Sequence, residues 1–380
     1  MIKFKSVIKM SICVLLLITL LFSCSKEPSS TGDDSETKKA PSVKTLEIKN
    51  ILYNSARISA QITSTGGSSV TERGICWSTT VNPVKTDNAS KSEDFTASFT
   101  CVATGLAINT TYHARAYAVN VKGTSYGEDL TFKTLAENEL PASIDPLLST
   151  KWSVFTWPYN AFYPAYSGSN SINGKLPAPC GPTTLSRVLA FWKGQIFASG
   201  TIDALDSKGE TRFKVNLDTI KINYNNLPVT FGATPTFDQY KDVAKLFLTS
   251  GAVGLTNLMD VATPGDAYIN ALKTYFNVDP QVKFAKRWEY TREEWINLLK
   301  TELAKGHPLM VVARTSDSPK PWEPGHVYAH WFNIEGYDSG NRFYIDYNFD
   351  PRQPFNGYYD VDDFGVYKAY PMVIINFKPR

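Results

Sequence analysis

The sequence predicts a multidomain protein in which an all-β sandwich is followed by an α+β domain. Three observations carry this. Short alternating strands separated by polar turns occupy the chain up to about residue 135. Amphipathic helical stripes and then strand-like apolar runs occupy the remainder. An apolar leader and a polar, apolar-poor stretch precede both. The 380 residues suffice for two or three domains, and 43% apolar with 20% charged residues supplies real cores. Lys and Arg number 39 against 36 Asp and Glu, a net charge of only +3, with no basic block interleaved with aromatics. Nucleic acid is therefore a poor partner.

At the N-terminus, Lys3, Lys5 and Lys9 precede the apolar run "MSICVLLLITLLF". That run is too short to span a bilayer comfortably and reads as a signal peptide over residues 1–23. Its end, "LFSC", resembles a bacterial lipoprotein signal, which implies lipid on Cys24 and membrane attachment through it. Ser25 lacks the aspartate that marks inner-membrane retention, so the resemblance implies an exported protein at the outer membrane or cell surface. Residues 24–42, "CSKEPSSTGDDSETKKAPS", are polar and suit a flexible tether.

Residues 43–135 follow the strand pattern: "ARISAQIT", "RGICWST", "SFTCVATG", "TYHARAYAVN" and "LTFKT", with turns such as "STGGSS" and "NVKGTS". Regular short strands with polar turns argue for a β-sandwich. The segment "GLAINTTYHARAYAVNVKGTSYG" resembles the fibronectin type III family, with Leu106 six residues before Tyr112. This implies a spacer or adhesive module without chemistry. Cys76 and Cys101 lie in two of these strands; whether they pair depends on a register the sequence does not give.

A linker over 136–147 leads to the second domain, 148–380. "FDQYKDVAKLFLTSG" carries Phe237, Tyr240, Val243, Ala244 and Phe247 as one helical stripe. "YTREEWINLLKTELAKG" reads as a helix with Thr291 as N-cap and Glu294 as its capping-box partner. "HPLMVVAR", "HWFNIEGYD" and "NRFYIDYNF" read as strands, giving an α+β domain.

The stretch "PAPCGPTTLSRVLAFW" sets a lone cysteine ahead of another helix. Leu185, Val188, Leu189 and Trp192 recur at helical spacing, Pro182 is tolerated in the first turn, and Gly194 supplies a stop. Cys180 thus sits beside free N–H donors and the positive dipole end, which favour the thiolate. It is either a nucleophile or a small buried apolar residue. A nucleophilic thiol needs an imidazole. Of His113, His307, His326 and His330, the first reads as an ordinary strand residue and His307 as a surface loop residue. Pro324, Gly325 and the following strand pattern make the 326–330 segment extended, which separates its two histidines by about 13 Å. No metal site is expected from that spacing, and no Cys-x-x-Cys or His-Glu-x-x-His is present.

From Ile144 to Arg380 the chain resembles the streptopain family of papain-clan cysteine peptidases. "DPLLSTKW…PYN", "DVAKLFLTSGAVGL", "YINALKTYFNV", "YTREEWINLLKTELAKGHPLMV" and "AHWFNIEGYDSGNRFYIDY" follow its order, and "CGPT" also resembles the C39-like peptidases of that clan. The resemblance implies a papain-like fold, a peptide or protein substrate, no cofactor, and the catalytic set Cys180, His330 and Asp346. Asp346 stands sixteen residues after His330, where the family has an orienting asparagine. The family's upstream oxyanion glutamine is replaced: Val154 stands two residues after Trp152, and no glutamine lies between Trp152 and Cys180. The Cys180 backbone N–H and the Asn160 side chain are then the expected oxyanion donors. Loss of that donor also leaves a second expectation, a turnover-deficient domain that binds peptide or glycan.

Overall fold

The computed structural model describes residues 38–153, 159–163, 173–175, 178–205, 212–230, 236–254, 266–314, 329–348, 355–365, 367 and 369–380. Residues 1–37, with the expected leader, Cys24 and most of the expected tether, lie outside this set, as do Val154 and residues 315–328 with His326.

The first domain holds β1 (Ser42–Lys49), β2 (Ser55–Ser64), β3 (Glu72–Ser78), β4 (Asn88–Lys91), β5 (Ser98–Thr104), β6 (Thr111–Asn120), β7 (Gly123–Tyr126) and β8 (Leu130–Lys133). One sheet runs β1-β2-β5 and the other β4-β3-β6-β7, with β8 also pairing β6. All pairings are antiparallel. Period-two alternation places Ile58, Ala60, Ile75, Trp77, Phe99, Ala114 and Ala116 between the sheets. The Tyr112 hydroxyl contacts the backbone N–H of Ala107, which donates to it at 3.1 Å. Cys76 and Cys101 fall in different sheets and are both free. Burial pushes each thiol up to about 11, and the Cys76 thiol donates to the Pro83 carbonyl at 3.2 Å.

The second domain holds α1 (Cys180–Phe191), β9 (Thr201–Leu205), β10 (Arg212–Asn216), α2 (Phe237–Gly254), α3 (Asp266–Tyr275), β11 (Lys283–Lys286), α4 (Arg292–Ala304), β12 (Leu309–Arg314), β13 (Ala329–Tyr337), β14 (Phe343–Asp346), β15 (Gly357–Tyr359) and β16 (Ala369–Ile375). Six strands form one antiparallel sheet in the order β11-β16-β12-β13-β14-β15. Its central strand β12 is buried throughout, which is why "LMVVAR" reads as a run and not as an alternation. Met310, Val312 and Trp331 join the core with Leu185, Val188 and Leu189 of α1 and Phe247 of α2. Val311, Phe332 and Ile334 face the other way, into a core with Trp295, Leu299 and Leu303 of α4. The Thr291–Glu294 capping box is formed, and Gly194 (φ 82°) follows the end of α1.

The interdomain segment is not a free linker. Ile144 bridges to Tyr337, and the Leu147 N–H donates to the Glu335 carbonyl at 2.9 Å, so residues 144–147 belong to the second domain's sheet. The sandwich grips the same strap. Arg57 donates to the carbonyls of Pro146 and Leu147, each at 3.2 Å, and Asn50 exchanges two bonds with the Asp145 backbone. Leu52 and Leu135 are buried in the core that contains Trp295 and Phe332. His307, expected on a surface loop, is instead 5% exposed, because it bonds to Glu302 at 3.1 Å and packs against the Trp192 ring at 6.0 Å.

Candidate active site around Cys180

The extended backbone at Pro179 (φ −80°, ψ 178°) starts α1, and Thr183 returns both its N–H and its hydroxyl to the Pro179 carbonyl. No side chain caps the helix and no acidic residue lies in its first turn. Cys180 is free and only 6% exposed. Its sulfur is approached by the backbone N–H groups of Trp331, Gly181 and Cys180 itself. The Trp331 amide is one peptide bond from His330, so helix α1 and strand β13 bring the thiol to the His330–Trp331 peptide, while the His330 ring packs with Phe332, Tyr347 and Tyr367.

Burial pushes the Cys180 thiol up, and those N–H groups act against it without prevailing. The helix end by itself favours the thiolate; removal from water outweighs it here. His330 is 5% exposed, and burial pulls its imidazole down to about 4, while the Tyr347 carbonyl favours the protonated ring. Near neutral pH the site therefore holds a thiol and a neutral imidazole. His330 Nε2 lies 2.6 Å from the Tyr347 carbonyl oxygen. A carbonyl only accepts, so Nε2 carries the proton and Nδ1 carries the lone pair. The ring packs 4.9 Å from Tyr367 and 6.3 Å from Tyr347, centroid to centroid.

Asp346 does not take the orienting place expected for it. In the β13–β14 register Asp346 pairs with Asn333, an odd three residues from His330, so its side chain lies on the opposite face of the sheet. Its carboxylate lies 3.1 Å from Arg187 and 3.7 Å from Lys151, and accepts from Asn356 at 2.9 Å. The next residue, Tyr347, returns to the histidine's face and supplies its backbone carbonyl. Asn160 is 1% exposed in a turn, between Tyr159 and Tyr163 of the core that includes Cys180. Among the described residues no group of three or more His, Cys, Asp or Glu could hold a metal ion.

Two features escape the sequence reading. The Tyr347 carbonyl is invisible because any residue supplies one. Arg187 did leave a signal: it sits inside the apolar stripe, seven residues and so two turns after Cys180, on the same helix face. Its side chain is fully buried, 2.7 Å from Glu335.

The model of the peptidase C10 family matches residues 152–359. The chain is similar in structure to active interpain A, a cysteine protease of Prevotella intermedia, at 22% identity and a TM-score of 0.50. That match covers 62% of this chain and 95% of the other. A prointerpain A fragment from the same organism matches at 20% identity and a TM-score of 0.50, over 63% of this chain and 74% of the other. At these identities the likeness speaks for the fold. Among curated proteins none matches the chain.

Proposed function

The chain belongs to the peptidase C10 family of cysteine peptidases, and from that membership we propose that it is an endopeptidase in which Cys180 attacks and His330 carries the proton. The observation behind this assignment is the approach of the Trp331 amide to the Cys180 sulfur, which sets the thiol beside the His330 peptide. Resting thiol and imidazole are both neutral. As Sγ bonds to the peptide carbonyl carbon, its proton passes to His330 Nδ1, while Nε2–H stays on the Tyr347 carbonyl. The oxyanion takes the Cys180 backbone N–H at the head of α1, with the Asn160 amide as second donor. Nδ1–H then protonates the leaving amine, and the C–N bond breaks. Water, deprotonated by the same nitrogen, hydrolyses the thioester. Trapping this thioester with peptide substrates, in the wild type and in His330→Ala, tests the assignment. A Cys180→Ala variant that still cleaves peptides would overturn it.

Val154 at the glutamine position favours one other reading, a domain that binds peptide or glycan without turnover. Tight binding of uncleaved peptide by wild type and Cys180→Ala alike would establish it.

Around this activity we place an exported lipoprotein, anchored through lipid on Cys24 at the outer membrane or cell surface. "LFSC" and the polar stretch after it support this. Mass spectrometry of the mature N-terminus decides it. The first domain is a fibronectin type III-like spacer, a reading supported by its three-stranded and five-stranded sheets and by the Tyr112–Ala107 bond.

A further inference from the structure

Arg187 is buried completely, yet the proposed chemistry does not use it. Its guanidinium donates from Nε and Nη2 to the Thr150 carbonyl, at 3.0 and 2.6 Å. Nη2 also reaches Glu335 at 2.7 Å and Asp346 at 3.1 Å. Nη1 reaches the side-chain oxygens of Asn333, at 3.3 Å, and Asn348. The amide of Asn348 turns back to the Thr184 hydroxyl at 2.9 Å, closing a loop onto α1. One side chain thus ties the cysteine helix to the strap before it, to β13, which carries His330, and to the end of β14, next to the carbonyl that holds His330.

Stability does not explain such a group. Desolvating a guanidinium and two carboxylates costs as much as their attraction returns, and apolar residues of similar size pack as well. The cluster is not a simple ion pair: two acidic groups share Arg187, Lys151 stands 3.7 Å from Asp346, burial pushes Glu335 up to about 7, and among the described residues Glu335 Oε2 is buried with no hydrogen-bond partner. What the cluster does supply is directionality. The planar fork accepts only one rotation and one height of α1 against the sheet.

We propose that Arg187 is a positioning residue that sets the distance between Cys180 and His330 by locking α1 to β13 and β14. This rests on the thiol–imidazole reading above. Arg187 lies two helical turns, about 10 Å along the axis, from Cys180 and does not touch the reacting atoms.

The test is a double-mutant cycle on the full chain, reading the rate of Cys180 alkylation by iodoacetamide at pH 7. In the wild type, His330→Ala slows alkylation, because the ring no longer takes the thiol proton. In Arg187→Lys, which keeps the charge but loses the fork, the His330 dependence falls about 10-fold or more, as expected for a displacement of about 1 Å. With a peptide substrate, kcat falls by a similar factor while KM holds. Asp346→Asn, nearly isosteric, is the second variant should Arg187→Lys fail to fold, and it weakens the dependence in the same direction. An unchanged His330 dependence in a folded variant overturns the clamp and leaves the thiol–imidazole reading intact. A wild-type thiol indifferent to His330→Ala overturns that reading, and the clamp with it.

Discussion

His330 donates from Nε2 to the Tyr347 backbone carbonyl at 2.6 Å, while the neighbouring Asp346 points through the sheet to Arg187. The ring is therefore held by main chain and not by a carboxylate. Turnover needs the unprotonated ring, whose value burial lowers to about 4. The kcat/KM profile should accordingly rise through an acid limb near pH 4 and be flat from mildly acidic to neutral pH. Asp346→Asn should leave that limb in place, since a carboxylate orienting the ring would raise the limb and its loss would lower it. A limb near pH 6.5 that drops in Asp346→Asn would restore the carboxylate as orienter.

Cys180 should alkylate slowly in acid and progressively faster above neutrality. Burial raises the thiol, and the ionised fraction grows only as pH climbs toward that raised value. Fast labelling persisting at pH 5 would mean that the helix end and His330 together overcome desolvation.

The second oxyanion donor is open to direct measurement. Asn160→Ala should lower kcat by about 100-fold with little change in KM, the usual cost of one such donor. An unaltered kcat would leave the Cys180 N–H as the donor without Asn160.

Acid stability should depend on Glu302. Burial alone would raise its carboxyl, but the bonds from His307, Lys305 and the Asn376 N–H outweigh burial and hold it down at about 2, against an ordinary 4.5. A depressed carboxyl stabilises the fold above its unfolded value, and this is lost as pH falls from about 4.5 toward 2. At about 1.4 kcal/mol per unit this is roughly 3 kcal/mol. Glu302→Gln should cost that order at pH 7 by denaturant unfolding and almost nothing near pH 2. A penalty independent of pH would assign Glu302 a packing role only.

The docking of the sandwich should matter to the peptidase domain. Arg57→Ala leaves the carbonyls of Pro146 and Leu147 without this donor, which should cost about 1–3 kcal/mol. Limited proteolysis should then cut within 136–147 faster than in the wild type. Equal cleavage rates would show that Leu52 and Leu135 hold the domains without the guanidinium.

Much of this molecule was legible as local pattern. Alternation in "ARISAQIT" and "TYHARAYAVN" specifies strands because a pleated chain presents alternate residues to one face. Thr291 and Glu294 announce a helix start because their side chains satisfy amides three residues away. The Cys180 helix, the His330 strand and their order followed from the same near-neighbour rules together with the family's spacing. What the tertiary structure decided are the quantities that depend on register and on water. Counting sixteen residues from His330 reaches Asp346, but pairing with Asn333 turns that carboxylate to the other face and leaves Tyr347 to hold the ring. The pKa directions of Cys180 and His330 follow from how completely the sheet and helices exclude solvent, which no short segment encodes. Arg187 reads as one charge in an apolar stripe until β13, β14 and Thr150 close around it. A one-residue change of register inverts every face, so such assignments belong to the folded sheet and not to the chain alone.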